Sequence, residues 1–402
     1  MNKKHTLVID GNYFLFRTLY VLPRNKGKIL ETKADVGIFV RKLATDFASE
    51  IRKFRTMVDQ VVFTIDSKSW RKDFYPQSEY KGNRSSDESI NWENFVKGGE
   101  DFKEFLKSKG VILHKVNGAE GDDLIFAWSV NANYREKPVI VFSGDRDLLQ
   151  LVNYNQSTRS YTIFYSNTHK KLCVFKGFSD WLEREEHQVT DIFDMQKSVE
   201  GDNIIRNGLK SLIKDSKLNL EEIHPGEFAF KKVLTGDAGD NVKPVYYYQV
   251  TKDDKTRNYG LSDKKAEMIF REFEKKYGTF KIEYLYDEEY QRQICNLIVK
   301  HLNADKMPFD RILQNIKDNT HLVILHQRSI PEEITNQMFE LVDQMQDLKI
   351  PNFEAISSKD ELLKGSSYLT ENYRPASSNF FEEGGEEDRS FILKSKPSDS
   401  LF

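Results

Sequence analysis

Short apolar runs alternate along the chain with stretches whose apolar positions recur every three or four residues. Residues 6–10 (TLVID) are an apolar run closing on an aspartate, and residues 60–66 (QVVFTID) repeat that design with Asp66 at the end. Similar runs at 111–115 and 138–143 (PVIVFS) predict two further strands. Between them Val36, Phe39, Val40, Leu43, Phe47, Ile51 and Phe54 follow helical spacing and predict an amphipathic helix over 34–56. Further helices are predicted near 100–108 and 120–135, with Gly98-Gly99 as a break before the first. Strands alternating with helices predict a parallel sheet covered by helices on both faces. A hairpin is expected over 158–176, and 178–230 is mixed helical and polar. Helical periodicity returns over 262–277 and 286–303. The chain therefore reads as an α/β unit over 1–235, a smaller α-helical domain over 236–350, and a tail over 355–402. That tail is rich in serine, glycine and acid, and is expected to be flexible.

Charge changes this picture only when it is resolved by position. Of 402 residues, 60 are basic and 63 acidic, a net charge of −3. Such a sum gives no reason to expect nucleic-acid binding, but a sum hides where each sign is placed. No apolar run approaches the ~20 residues of a membrane span, so no membrane partner is expected. The N-terminal MNKKHTLVID lacks the pattern of a secretory leader. Cys173 and Cys295 are too few for a disulfide framework or a four-cysteine zinc site. A reducing cytoplasm is the expected location.

The acids gather at particular places. Asp10 and Asp66 each end an apolar strand; GAEGDD at 118–123 puts Glu120, Asp122 and Asp123 at the start of a helix; SGDRD at 143–147 puts Asp145 and Asp147 after another strand; GDAGDN at 236–241 adds Asp237 and Asp240. Taken singly, each has an ordinary reading as a turn former, helix cap or first-turn acid. Taken together they would meet, because the C-terminal strand ends of a doubly wound sheet share the edge where ligands bind. Close carboxylates raise each other's pKa and need compensation. Oxygen donors without histidine or cysteine point to Mg²⁺ or Mn²⁺. So many acids suit two ions about 3.5–4 Å apart, the arrangement for phosphodiester cleavage.

A basic, aromatic segment follows Asp66. Residues 67–84 carry Lys68, Arg71, Lys72, Lys81 and Arg84 against Asp73 and Glu79, interleaved with Trp70, Phe74, Tyr75 and Tyr80. Cations that meet phosphates beside rings that stack on bases suit single-stranded nucleic acid; a solvated loop with a few core aromatics is the alternative.

In this order, VIDGN at 8–12, WRKDF at 70–74, YKGNR at 80–84, AEGDD at 119–123, SGDRD at 143–147 and GDAGDN at 236–241 resemble the 5′-nuclease superfamily. That superfamily comprises flap endonucleases and the 5′-exonuclease domains of bacterial DNA polymerases; the resemblance leans to phage members of the T-even ribonuclease H type. It implies a PIN-like α/β fold with a smaller, helix-hairpin-helix-like C-terminal domain. It also implies a first metal ion (Mg²⁺, or Mn²⁺) among Asp10, Asp66, Glu120 and Asp122, and a second near Asp145, Asp147 and Asp240, with Asp123 and Asp237 in support. Lys81 and Arg84 would contact the scissile phosphate from a helical arch within 67–100. Tyr80 would stack on a base, and Arg71 and Lys243 would be further nucleic-acid contacts. The implied activity is Mg²⁺-dependent hydrolysis at 5′ ends, flaps, nicks and RNA primers during phage-like DNA replication or repair, which would place a phage-encoded protein in the host cytoplasm.

Two features depart from the family pattern. The 90 positions from Asp147 to Asp237 imply an insertion within 160–230, and the expected Gly-hydrophobic-Gly turn is missing after Asn241. The apolar end Ser400-Leu401-Phe402 resembles sliding-clamp-binding tails, the alternative being stray hydrophobics on an unstructured end; a single-stranded DNA-binding protein is a further candidate partner. Two rival readings share the fold: a PIN-type endoribonuclease and a non-catalytic flap-binding adaptor.

Overall fold

Strand β1 (His5–Asp10) is buried along its whole length and lies between two parallel neighbours, β2 (Val58–Thr64) and β4 (Val139–Phe142). A strand covered on both faces has to be apolar throughout, which is why Leu7, Val8 and Ile9 run without a polar interruption. The computed structural model describes residues 4–24, 27–75, 79–135, 137–183, 195–252, 255–302 and 305–357. The Ser-Leu-Phe end and most of the predicted tail lie outside the described residues.

The remaining strands are β3 (Ile112–His114), β5 (Asn153–Asn155), β6 (Ser160–Ser166), β7 (Lys171–Phe175) and β8 (Asn219–Ile223), and the sheet runs β3-β2-β1-β4-β6-β7-β8 with β5 paired to β6. Pairing is parallel from β3 to β6 and again between β7 and β8; β5 and β7 each run antiparallel to β6. The order reverses direction between β1 and β4, so the crevice above their C-terminal ends is the switch point of the sheet. Helices α1 (Gly11–Tyr20) and α5 (Gly121–Arg135) start at that edge, α1 directly after β1. Helix α2 (Lys33–Arg52) opens on a reciprocal cap, in which Thr32 Oγ1 accepts from the Asp35 amide at 3.2 Å and Asp35 returns the bond to the Thr32 amide at 2.8 Å.

Gly98-Gly99, read above as a break, lies inside α4 (Trp92–Ser108). A Cβ on Gly98 would stand 2.8 Å from the Phe39 ring, so the residue permits close packing of α4 on α2. Within 67–100, the range of the expected arch, the described chain forms the one-turn helix α3 (Arg71–Phe74), turns, a bridge from Ile90 to Ile29, and the first half of α4. The inserted stretch extends the sheet through β7 and β8, with α6 (Phe178–Glu183) and α7 (Met195–Asp215) between them.

A second hydrophobic core is built from α8 (Pro225–Thr235), α9 (Asp263–Tyr277), α10 (Glu288–Leu302) and α11 (Phe309–Val323). It starts before residue 236, since Phe230 and Val233 belong to it. It also ends before 350: α12 (Glu332–Met345) sends Met338 and Val342 into the first core, which α13 (Glu354–Ser357) joins through Ile356. The segment lacking the Gly-hydrophobic-Gly turn forms an antiparallel hairpin, β9 (Tyr247–Lys252) with β10 (Lys255–Gly260), between α8 and α9. Among the described residues, no helix is long and apolar enough to cross a membrane.

Candidate active site

The strand ends and helix starts at the switch point put Asp10, Asp66, Glu120, Asp122 and Asp145 around one cleft, with Lys81 and Arg84 on its wall. Asp10 ends β1 and caps α1, its Oδ1 accepting from the Tyr13 amide at 3.0 Å and its Oδ2 from Ser143 Oγ at 2.7 Å. Asp66 follows β2 and accepts from the Gly121 amide at 2.6 Å and from the Asn12 side chain. Gly121 is required there, because a Cβ would stand 2.6 Å from Asp66 Oδ1. Asp145 caps the 3-10 turn Arg146–Leu151 by accepting from the Asp147 amide at 2.8 Å.

Asp10, Asp66, Asp122 and Asp145 differ from Glu120 in having no cationic partner in hydrogen-bond contact among the described residues. Burial, with a smaller contribution from Asp66 and Asp145, pushes Asp10 up to about 7. Burial followed by Asp145 and Asp10 raises Asp122 well above the usual carboxylate range. Asp66 rises through burial and the nearby Glu120, and Asp145 rises chiefly through burial.

On the other side, the chain's own cations hold the carboxylates. Glu120 accepts from Arg71 Nη1 at 3.0 Å and from Lys81 Nζ. Burial alone would raise its pKa, but Lys81 and Arg71 bring it down to about 2. Asp240 accepts from Arg84 Nη2 at 2.5 Å, and the Tyr80 hydroxyl lies 2.9 Å from Asp240 and 3.0 Å from Glu120. Lys232 on α8 bridges Asp147 Oδ1 at 2.6 Å and Asp237 Oδ2. One ammonium serves two acids unequally. Against its burial, Asp237 is held below the usual range by Lys232, whereas burial and Asp145 push Asp147 up to about 8.

Three residues expected at the metal or the nucleic acid lie buried. Asp123 is fully buried; it takes Arg71 bidentately at 2.9 and 3.0 Å, the Trp70 indole at 3.2 Å and the Glu120 amide at 3.1 Å, which ties it to Arg71 behind the cleft. Arg71 is 2% exposed and also donates to the Leu322 carbonyl, so it braces the site and cannot reach a phosphate. Tyr80 is 6% exposed within the second core, and its ring is not available to stack on a base. Lys243 is exposed, its ammonium 5.5 Å from the Tyr247 ring centroid. Sequence reasoning missed Lys232, whose signal is its place five residues before Asp237, as well as the orienting donors Asn12 and Ser143.

A divalent ion fits this cleft by charge and donor chemistry. The acids supply only oxygen, and their pKa values stay raised although Lys81 and Lys232 lie near enough to oppose the shift. As the side chains stand, no group of three or more acids, histidines or cysteines among the described residues forms a ready-made cage.

A family model described as the 5′-3′ exonuclease, N-terminal resolvase-like domain, matches residues 5–178. A 5′-3′ exonuclease of Mycoplasmopsis pulmonis is 27% identical over 230 residues, 54% of this chain and 68% of that protein. A 5′-3′ exonuclease of Aquifex aeolicus is 32% identical over 154 residues, 38% of this chain and 49% of that protein. A solved bacteriophage T5 flap endonuclease, complexed with DNA and metal ions, is 18% identical with a TM-score of 0.48, over 85% of this chain and 99% of its own.

Proposed function

We propose, from the family-model match over residues 5–178, that the chain is a member of the 5′-nuclease superfamily and a divalent-metal-dependent hydrolase cutting DNA at 5′ ends and 5′ flaps. The observation that carries this reading is the single cleft shared by Asp10, Asp66, Asp122 and Asp145, with Lys81 and Arg84 on its wall. Divalent ions, Mg²⁺ or Mn²⁺, would be held by those four aspartates with Glu120, and would supply Lewis-acid polarisation of the phosphate and a more acidic water.

The chain's own groups do the rest. Ser143 and the Tyr13 amide hold the two oxygens of Asp10, and Asn12 and the Gly121 amide those of Asp66, which fixes both carboxylates at the cleft. Lys81 and Arg84 now pair with Glu120 and Asp240. When a phosphodiester enters, they can exchange those carboxylates for phosphate oxygens, which balances charge developing on the phosphate. Hydrolysis then leaves a 5′-phosphate and a 3′-hydroxyl. Flaps, nicks and RNA-primed ends are the proposed substrates and phage-like replication or repair the proposed setting. A sliding clamp and a single-stranded DNA-binding protein are the proposed partners.

The test is cleavage of a 5′-labelled flap DNA with Mg²⁺ and with a chelator, for the wild type and for Asp145→Asn. Cutting at the flap base that needs Mg²⁺ and is lost in the variant supports the reading. Cutting that survives both changes would overturn it, and preferential cutting of RNA loops would favour the endoribonuclease rival.

A further inference from the structure

The turn joining β6 to β7 touches the cleft through one ring. The Tyr13 hydroxyl donates to Asn167 Oδ1 at 2.9 Å and receives Thr168 Oγ1 at 2.5 Å. Asn167 is itself anchored, its Nδ2 donating to Glu50 Oε1 on α2 at 2.8 Å. Glu50 also accepts from the Tyr165 hydroxyl at 3.1 Å and pairs with Lys53 at 2.8 Å. The turn is thus tied to α2 and strand β6 before it meets the tyrosine.

Tyr13 connects that anchor to two of the acids. Its amide caps Asp10 at 3.0 Å. Its ring lies directly under Gly144, the residue before Asp145, so closely that a Cβ on Gly144 would stand 2.3 Å from the ring. The same ring packs edge-on against Phe142 at the end of β4, with centroids 6.1 Å apart. Asp10 and Asp145 follow the two strands that flank the switch point, and Tyr13 meets the first through its amide and the chain before the second through its ring.

We propose that Asn167 and Thr168 are positioning residues: by holding the Tyr13 ring they set the spacing of Asp10 and Asp145 and so the affinity of the cleft for a divalent cation. This rests on the metal-dependent reading above and adds a component to it. A buried phenol needs one hydrogen-bond partner, and any nearby polar group would serve. Here the phenol has two, and one of them is fixed to a third element. Each net hydrogen bond of this kind is worth about five-fold in an equilibrium.

The experiment measures Mn²⁺ binding to the full chain by calorimetry in the absence of DNA, for the wild type, Tyr13→Phe and Asn167→Ala. Mg²⁺-dependent flap cleavage and the affinity for flap DNA in a chelator are measured alongside. Both variants are expected to weaken Mn²⁺ binding about five-fold and to move the Mg²⁺ optimum upward, with DNA affinity in chelator unchanged. Restored cleavage at high Mg²⁺ would mark a positioning effect, since a folding defect is not repaired that way. Unchanged Mn²⁺ affinity in a folded Asn167→Ala overturns the proposal, whatever happens to Tyr13→Phe. If the wild type binds no Mn²⁺, it is the metal-dependent reading itself that fails, so the two failures are distinct.

Discussion

Two sides of one cleft treat the same functional group differently. Asp10, Asp66, Asp122 and Asp145 are held by amides and neutral side chains or stand without a cation, and their pKa values are raised. Glu120, Asp237 and Asp240 are held by Lys81, Lys232 and Arg84. The first side has no hydrogen-bonded cation among the described residues, and its charge is opposed only from a distance by Lys81 and Lys232. The second is neutralised internally and has to exchange partners before it can do anything else. On the proposed function, metal binding would fall to the first side, and phosphate handling to the cations that now occupy the second.

The largest effect that sharpens this contrast concerns the brace beneath the neutralised side. Arg71→Met strands the fully buried Asp123 carboxylate together with two further acceptors, and breaking a buried pair in this way costs about 3–5 kcal/mol. Chemical denaturation should show that loss; a change under ~1 kcal/mol would mean that Arg71 is not structural. Lys232→Met comes next. It leaves Asp147 and Asp237 facing each other without a cation, and the metal-free protein should lose about 2–3 kcal/mol. Added Mg²⁺ should recover part of it, and a variant equally stable with and without Mg²⁺ would separate these two acids from any metal site.

The smallest effect is a pH dependence in chelator. A carboxylate whose folded pKa is raised keeps its proton in the folded state after the unfolded chain has released it. Its stability contribution is therefore present at low pH and lost as pH rises through the folded value, which is about 7 for Asp10 and about 8 for Asp147. His5 and His114, lowered to about 4 by burial, work in the opposite sense at lower pH. Above about pH 7 these two, and His321 and His326, which burial also lowers, are neutral folded or unfolded, so the raised acids dominate the window from about 7 to 8.5. Melting temperature should fall across that window in chelator, and fall less in Asp147→Asn. A flat or rising profile would show that these acids are not uncompensated.

Much of this architecture was legible in the chain. An apolar run ending in an aspartate identifies both the strand and its chemically interesting end, which is why β1, β2 and the acids after them could be placed. What could not be read depends on three-dimensional neighbours. Asp122 and Asp123 are adjacent, yet a helix turns about 100° per residue, so one faces the cleft and the other Arg71; only the helix phase separates them. The basic aromatic segment looked exposed because composition does not say where a cation finds its partner. Arg71 and Tyr80 found theirs inside. Gly98 looked like a break because its reason is Phe39, almost sixty residues away in sequence.

The most direct test of the uncompensated side is calorimetric titration of Mn²⁺ into the wild-type chain and into Asp122→Asn, at neutral pH and without DNA. The account predicts saturable binding to the wild type with release of protons from the raised acids, and binding at least ten-fold weaker, about 1.4 kcal/mol, in the variant. Equal Mn²⁺ affinity in the two proteins, with no proton release from either, would contradict it.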